Sequence, residues 1–420
     1  MKFFEKAKNM EAKDYIWTFG KWFLLSGLSG ILCGLVGTAF SYGIRFVTKT
    51  RGNYPWFLYL LPVAGLMIVF LYRILGIKQD KGTNLVLSSV QDPEEKVPLK
   101  VSFLMFVSTL LTHLGGGSAG REGAALQIGA GISTAVGRLF PIDKEDRSLI
   151  VMCGMAGLFS ALFGTPITAA IFSIEVVTVG VIQCSALFPC LLSSLVAVGI
   201  AHLFHVAPES YEILAAPEFG FLPMGQVLLL GILCAAISVL FCVAMHKTKH
   251  LFSEYIKNPY LMVIVGSAII ILLTLLIGNQ DFNGAGGAII EEAMEGEALP
   301  YAFLLKIVFT AITLGCGFKG GEIVPCFFIG STFGCVVGPL LGLPASFAAG
   351  LGMIGVFCGC VNCPLASILL GVELFGGEHL LSYAIICIVS FLLSGRYSLY
   401  ATQKLAYSKC KPHASVEGTR

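Results

Sequence analysis

The stretch 224–245 contains no charged side chain, and it constrains the fold of this chain more than any other feature. A helix of that length is about as long as the hydrocarbon core of a bilayer is thick. The rest of the sequence has the same character, since only 12% of its residues are charged, whereas soluble domains average about 25%. The sequence therefore predicts an all-α polytopic membrane protein, in which helices satisfy the backbone polar groups.

Two kinds of apolar segment occur along the chain. Those that read as full membrane spans are 23–48, 56–75, 101–114, 186–204, 224–245, 260–277, 301–316 and 379–394. Shorter segments that end at glycine or proline are 123–139, 149–163, 166–182, 323–341 and 363–376. The shorter segments predict tilted or broken helices whose ends lie at membrane depth.

The distribution of charge predicts the orientation of the chain. Lysines cluster in 1–21, in 246–259 and after residue 403, whereas 206–223 and 291–297 carry glutamates and no lysine or arginine. By the positive-inside rule, both termini lie in the cytoplasm and the two acidic loops lie outside. The chain is predicted to begin with a cytoplasmic interfacial helix (1–22), which is followed by a first membrane repeat (23–205) and an external linker (206–223). A second membrane repeat (224–402) and a cytoplasmic tail (403–420) complete it.

An internal repeat relates the two membrane halves. The segment 114–122 aligns with 314–322 at a shift of 200 residues, and 154–175 aligns with 352–373 at a shift of 198. Repeated halves with glycine-interrupted segments at matching positions are typical of transporters whose site lies between the halves. The glycine runs predict helix N-termini at membrane depth, where unpaired N–H groups and the positive dipole end bind an anion.

Glu122 follows the first glycine run and is the leading candidate functional residue. A charged side chain at bilayer depth costs about 2.5–3.5 kcal/mol on insertion scales, so it persists where it pairs, lines water or has a function. When ionised, Glu122 can compete with an anion for the helix N-termini; when protonated, it can leave the site and carry a proton. The alternative is an ion pair. Because sequence neighbours on a helix point apart, Arg121 is not expected to account for Glu122 alone.

Three further carboxylates and one histidine have functional and structural interpretations. Glu322 occupies the repeat-equivalent position and is either a second proton acceptor or pathway element, or a carboxylate that pairs with Lys319 or with its helix dipole. Glu175 and Glu373 lie late in apolar helices, so we expect them to bond to nearby backbone or to mark cytoplasmic helix ends. His113 could relay protons, but a packed histidine is favoured.

At these residues the sequence resembles the CLC family of anion channels and anion/proton antiporters. GREGAALQIG (120–129) is similar to the family's GREGP motif, and GGEIVP (320–325) to its GxFxP region. LYATQ (399–403) is similar to the segment with the family's central tyrosine, and KGTNLV (81–86) stands in the place of its GSGIP motif. The resemblance implies a CLC-type fold of about eighteen helices in two inverted repeats, and a homodimer with one anion pathway per subunit.

The resemblance also implies an anion site. Tyr400 takes the place of the central tyrosine, Thr83 that of the pore serine, and Asn84 that of the next glycine. The predicted anion-binding residues are Thr83, Asn84, Gly120, Arg121, Gly123, Ile323, Val324 and Tyr400. The residues predicted to carry the proton chemistry are Glu122 and Glu322, and neither a metal nor a cofactor is predicted.

Departures from the common CLC pattern resemble one branch of the family. Ala124 replaces the proline of GREGP, Glu322 is inserted in the second motif, and Val176 stands where proton-coupled chloride members carry an internal glutamate. These features resemble the bacterial fluoride/proton antiporters. The sequence thus predicts a fluoride exporter of the bacterial inner membrane that exchanges fluoride for protons. The alternative is a chloride/proton exchanger or a passive chloride channel of the same fold.

A membrane-embedded enzyme is disfavoured by the sequence. The seven histidines form no HExxH pattern and no paired nucleophile motif, so a membrane-embedded hydrolase is not expected. The expected partners are fluoride or chloride ions, protons, the lipid bilayer and a second copy of the chain, and not nucleic acid.

Overall fold

The computed structural model describes residues 12–77, 81–92, 94–218 and 220–409. These residues contain sixteen α-helices, two short 3-10 helices and one two-stranded sheet. Seven helical segments among them are long and apolar enough to cross a membrane. The protein is an all-α polytopic membrane protein, as its sequence predicts.

Each half of the chain contributes eight α-helices. The first eight are α1 (Ala12–Asn53), α2 (Leu61–Ile74), α3 (Thr83–Gln91), α4 (Leu99–Leu114), α5 (Glu122–Arg138), α6 (Lys144–Phe163), α7 (Pro166–Glu175) and α8 (Leu187–Leu203). The second eight are α9 (Phe221–Tyr255), α10 (Pro259–Ile277), α11 (Gly287–Glu295), α12 (Ala302–Gly315), α13 (Ile323–Leu340), α14 (Ala345–Val361), α15 (Pro364–Phe375) and α16 (Leu380–Leu393). The 3-10 helices are Pro55–Leu60 and Cys184–Ala186, and the parallel strands are β1 (Thr178–Val179) and β2 (Lys404–Leu405).

Three of the segments predicted as membrane spans, 101–114, 301–316 and 379–394, form helices within two residues of those bounds. Helices α4, α12 and α16 have 16, 14 and 14 residues, which falls short of the roughly 20 needed to cross the hydrocarbon core. Hydropathy thus located these helices correctly, but it did not show that each one alone is too short to cross. Helix α4, for example, ends where the glycine run at Gly115 begins.

The chain ends fall partly outside the described residues. Residues 12–22, which the sequence assigns to an interfacial helix, form the first part of α1, and α1 continues unbroken to Asn53. Residues 1–11 and 410–420, which belong to the predicted interfacial helix and tail, lie outside the described part of the chain.

Glycines bring equivalent helices into backbone contact in both halves. A Cβ atom on Gly129 of α5 would lie 2.0 Å from the carbonyl oxygen of Gly154 on α6. In the second half, a Cβ on Gly330 of α13 would lie 2.3 Å from the carbonyl oxygen of Gly352 on α14. Small residues permit this close packing of membrane helices, so the two halves share one packing device.

We expect Gly129→Ala to destabilise the protein. The new methyl group would meet a backbone carbonyl that cannot move away alone, and overpacking of this kind costs about 1–3 kcal/mol. Thermal unfolding of the purified protein in detergent measures the loss. Gly27→Ala on α1 is the matched control, because nothing lies within 4 Å of its Cβ position. Equal melting temperatures for both variants would contradict the packing argument.

Two glutamates join α7 and α15 reciprocally. Glu175, at the end of α7, accepts two backbone N–H groups at the start of α15, at 2.9 and 3.1 Å. Glu373, late in α15, accepts two backbone N–H groups at the start of α7, at 2.8 and 3.0 Å. The end of each helix thus meets the start of the other, so the helices are antiparallel. This pairing is the arrangement of two inverted repeats, and it places both glutamates in bonds to backbone.

Removal of the Glu373 carboxylate, which caps the start of α7, tests this structural role. We expect Glu373→Ala to lower the free energy of unfolding by about 1–2 kcal/mol, because two N–H groups at a helix start lose their acceptor. A thermal melt reports the loss, and the number of protons moved per anion is expected to stay unchanged. Glu378→Ala, on an exposed residue of the following turn, is the control. A changed proton-to-anion ratio in Glu373→Ala would give Glu373 a part in transport instead.

Candidate functional site

The two glycine runs of the repeat meet at one point of the fold. The backbone N–H of Gly120 donates to the carbonyl oxygen of Gly321 at 2.7 Å, and the N–H of Gly321 donates to the oxygen of Gly120 at 2.7 Å. Helix α5 begins at Glu122 and helix α13 at Ile323, immediately after these bonds. Two helix N-termini from opposite halves therefore converge, and each brings unpaired N–H groups and a positive dipole end.

The approach of the two loops is too close for larger residues. A Cβ atom on Gly321 would lie 2.4 Å from the backbone nitrogen of Gly123. A Cβ on Gly120 would lie 2.6 Å from the carboxylate of Glu122 and 3.0 Å from Cβ of Val324. The predicted anion-binding residues Gly120, Gly123 and Val324 thus belong to one cluster, and the glycines in it admit backbone where a side chain would not fit.

Glu122 is fully buried at the start of α5. Its carboxylate accepts the backbone N–H of Arg121 at 2.9 Å and the Nε–H of the same residue at 3.2 Å. The expectation that Arg121 points away is wrong, because Arg121 precedes the helix, with φ −110° and ψ −15°. The guanidinium also donates to Glu209 of the linker at 2.6 Å, so two carboxylates share one arginine.

A cavity of about 500 Å³ opens onto Glu122. Its wall includes Arg45 and Lys49 from the end of α1, Arg121, and Glu209 and Tyr211 from the linker. Burial, followed by the nearby carboxylate of Glu209, raises the pKa of Tyr211, so its hydroxyl stays protonated in the cavity wall. Three cationic side chains against two carboxylates give the cavity a positive excess, which favours the entry of small anions.

Glu322 lies on the other side of the contact between the loops. It is the residue before α13, and its carboxylate lies against α5, since a Cβ on Gly123 would be 2.9 Å from Glu322 Oε2 and 3.4 Å from Thr83 Oγ1. The Thr83 hydroxyl and this carboxylate thus lie close together beside Gly123. The predicted alternative, an ion pair with Lys319, does not occur among the described residues, and the Lys319 ammonium lies 4.9 Å from the centre of the Tyr72 ring.

Asn84 forms hydrogen bonds with the segment that follows Tyr400. The side-chain oxygen of Asn84 accepts the backbone N–H and the hydroxyl of Thr402, both at 3.0 Å. Tyr400 is fully buried. Asn84 therefore holds the Tyr400 segment through its oxygen, a structural contact that the motif comparison does not reveal.

Residues 64–395 match the voltage-gated chloride channel family. The chain belongs to the CLC family. A chloride/fluoride channel protein of Pseudomonas syringae pv. tomato is 34% identical over 410 residues, which cover 96% of this chain and 91% of that protein. The H+/Cl− exchange transporter ClcA of Vibrio cholerae is 26% identical, over 85% of this chain and 82% of its own length.

Solved structures show the same relationship. The crystal structure of a CLC-type fluoride/proton antiporter superposes on this CLC protein with a TM-score of 0.89 and 32% identity, over 94% of this chain and all of that one. A slow cyanobacterial Cl−/H+ antiporter superposes with a TM-score of 0.75 at 18% identity, over 89% of this chain and 94% of that one. At that lower identity the likeness shows a shared fold.

His113 lies apart from the two glutamates in this CLC protein. It is buried near the end of α4, where its Nδ1 lies 2.9 Å from the carbonyl oxygen of Thr109, one helical turn earlier. The guanidinium of Arg51 donates to the backbone oxygen of His113 at 3.0 Å. These are the contacts of a packed histidine, which is the favoured interpretation of the sequence.

Sequence reasoning missed two residues that position the site. Glu209 binds Arg121, and the acidic character of the linker was the available signal. The side-chain amide of Gln403 donates to the carbonyl oxygens of Val176 and Val361, at 2.9 and 2.8 Å, and so fixes the Tyr400 segment against both halves. Gln403 ends the LYATQ motif, but nothing local to that motif indicates its partners.

Proposed function

We propose that this protein is a proton-coupled fluoride antiporter that exports fluoride across the bacterial inner membrane. The observation that carries the proposal is the buried carboxylate of Glu122, which occupies the N-terminus of α5 at the base of a positively charged cavity. The 32% identity to a CLC-type fluoride/proton antiporter over 94% of the chain supports fluoride as the anion.

In the proposed cycle, Glu122 and the anion compete for one set of N–H donors. The ionised carboxylate accepts the N–H of Arg121 and excludes an anion from the N-terminus of α5. Taking up a proton removes its charge, so the carboxyl group moves into the cavity and a fluoride ion takes its place. Return of Glu122 then requires the release of both the fluoride and the proton, which couples the two movements.

Glu322 is proposed as the second carboxylate that accepts the proton. It stands at the other helix N-terminus, beside Thr83, while Val176 leaves no titratable side chain at the position of the internal glutamate of chloride exchangers. Fluoride binds at the N–H groups of Gly123, Ile323 and Val324, beside the Gly120–Gly321 contact. Tyr400 and Thr83 supply hydroxyl donors, and such dense donation offsets the loss of the strong hydration shell of fluoride.

The test uses purified protein in liposomes, followed by a fluoride electrode and a pH electrode. We expect fluoride efflux to drive proton uptake, and an imposed proton gradient to drive fluoride against its own gradient. Chloride transport at the rate of fluoride would reject the selectivity. Fluoride movement without proton counterflow would reject the coupling and support the alternative of a passive channel, which the chloride/fluoride channel relative makes relevant.

We expect Tyr400→Phe to lower the ratio of fluoride to chloride flux by about five- to tenfold, because one buried hydrogen bond to an anion contributes about 1–1.5 kcal/mol. The same liposomes, loaded with either halide, measure that ratio. Tyr383→Phe is the matched control on a second buried tyrosine, which lies on α16. An unchanged ratio in Tyr400→Phe would make Tyr400 a packing residue.

The orientation and assembly complete the proposal. We place both termini in the cytoplasm and the linker 206–223 outside, from the distribution of lysine and glutamate. We also propose a homodimer with one pathway per subunit. To test the orientation, a cysteine is introduced at Glu212 in a variant whose Cys184 and Cys410 are replaced by serine. An impermeant maleimide should label this cysteine on intact cells. A cysteine that the maleimide does not reach would indicate the opposite orientation.

A further inference from the structure

A second large cleft lies away from Glu122, on the side of the protein proposed as cytoplasmic. It has a volume of about 670 Å³ and lies between the end of α2, the start of α10 and the loop after α12. Its lining shares no residue with the cavity above Glu122. The proposed transport cycle does not use it.

The polar end of this cleft is positively charged. Arg73 and Lys319 line it, together with Asn258 and the first residues of α10. None of the described lining residues is acidic. The ring of Tyr72 lies 4.9 Å from the Lys319 ammonium, which places that charge at the cleft wall. A ligand with a negative head group fits this end.

The other end of the cleft is apolar. Ile68 and Val69 of α2 face Met262 and Val263 of α10, and both helices belong to segments long and apolar enough to cross a membrane. Along α2, Tyr72 stands between Val69 and Arg73, and along α10, Tyr260 stands between the helix start and Met262. Tyrosines favour that position at a membrane–water interface, so the cleft spans the boundary between head groups and acyl chains.

We propose that this cleft binds an anionic phospholipid. The phosphate lies beside Arg73, Lys319 and the start of α10, and an acyl chain lies along the apolar residues of α2 and α10. Basic pockets between membrane helices recognise anionic head groups in this way. Free phosphate shares the charge but not the acyl chain, and the apolar half of the lining favours the lipid.

The occupied cleft borders the loop that leads to Glu322. Gly317 and Lys319 line the cleft, and three residues after Lys319 the chain reaches Glu322. The backbone N–H of Lys319 also donates to the hydroxyl of Thr112 at 3.3 Å, which ties this loop to α4. A bound lipid therefore contacts the segment that positions one of the two proposed proton-carrying residues.

The test uses the full-length protein in phosphatidylcholine nanodiscs with a trace of photoreactive phosphatidylglycerol, followed by peptide mapping. We expect adducts on the segments around Tyr72 and Tyr260. Arg73→Gln should reduce them about fivefold and Arg73→Gln with Lys319→Gln about thirtyfold, from the contribution of each basic group near an anionic head group. Arg138→Gln, a basic residue outside this cleft, is the control and should leave the adducts unchanged.

Competition on the wild-type protein keeps the test decisive if the double variant does not fold. Unlabelled phosphatidylglycerol should displace the probe, whereas the same amount of phosphatidylcholine should not. Displacement by inorganic phosphate alone would identify a site for free anions and overturn the lipid assignment. Adducts spread over other helices, or unchanged in Arg73→Gln, would also overturn it. None of these outcomes depends on fluoride transport, so this experiment tests lipid binding independently of the proposed function.

Discussion

Glu122→Gln is expected to abolish proton counterflow in a protein that still folds and inserts. Glutamine keeps the size of the side chain and a hydrogen-bonding oxygen. Its amide group neither takes up nor releases a proton at physiological pH, and it cannot compete as an anion for the N–H of Arg121. A positioned group that transfers protons contributes about 10²–10⁴-fold, so the coupled flux should fall at least about 100-fold. Fluoride and pH electrodes on liposomes measure both fluxes, and any remaining anion flux should ignore a proton gradient.

The control for this variant is Glu212→Gln in the linker. Glu212 is an exposed carboxylate outside the cavity lining, so its neutralisation changes the net charge equally and is expected to leave coupling intact. Normal coupling in Glu122→Gln would refute the central assignment. In that case the bonds of Glu122 to Arg121 would be its whole role.

Glu322→Gln is the variant with the second-largest expected effect. If Glu322 receives the proton, its loss should lower exchange at least about 100-fold, whereas a carboxylate that only stabilises the start of α13 would affect stability by about 1 kcal/mol. Initial rates of fluoride-driven proton uptake separate these outcomes, provided that a thermal melt is recorded on the same sample.

Glu254→Gln serves as the matched control, because Glu254 lies exposed on α9 and its carboxylate pairs with His250 on the same helix. Wild-type exchange in Glu322→Gln with a lowered melting temperature would return Glu322 to a structural role. Reduced exchange in both variants would indicate a general effect of charge on the protein surface.

The local sequence was sufficient to predict the class of fold and the starts of the central helices. The apolar segments predicted at 123–139, 323–341 and 363–376 correspond to α5, α13 and α15 within a residue or two. Glycine and proline mark these ends directly, because they determine where backbone turns and helices begin. Hydropathy also located α4, α12 and α16 within two residues, but at 16, 14 and 14 residues these helices are shorter than a full span.

The sequence by itself determined that the chain lies in a membrane, that it repeats, and that Glu122 and Glu322 stand at equivalent helix starts. Only the tertiary structure decided how these parts meet, such as the bonds between Gly120 and Gly321 or between Arg121 and Glu209. The physical reason is that composition and periodicity record what each segment buries. Contacts between residues 88 or 201 positions apart depend on how all the helices pack together.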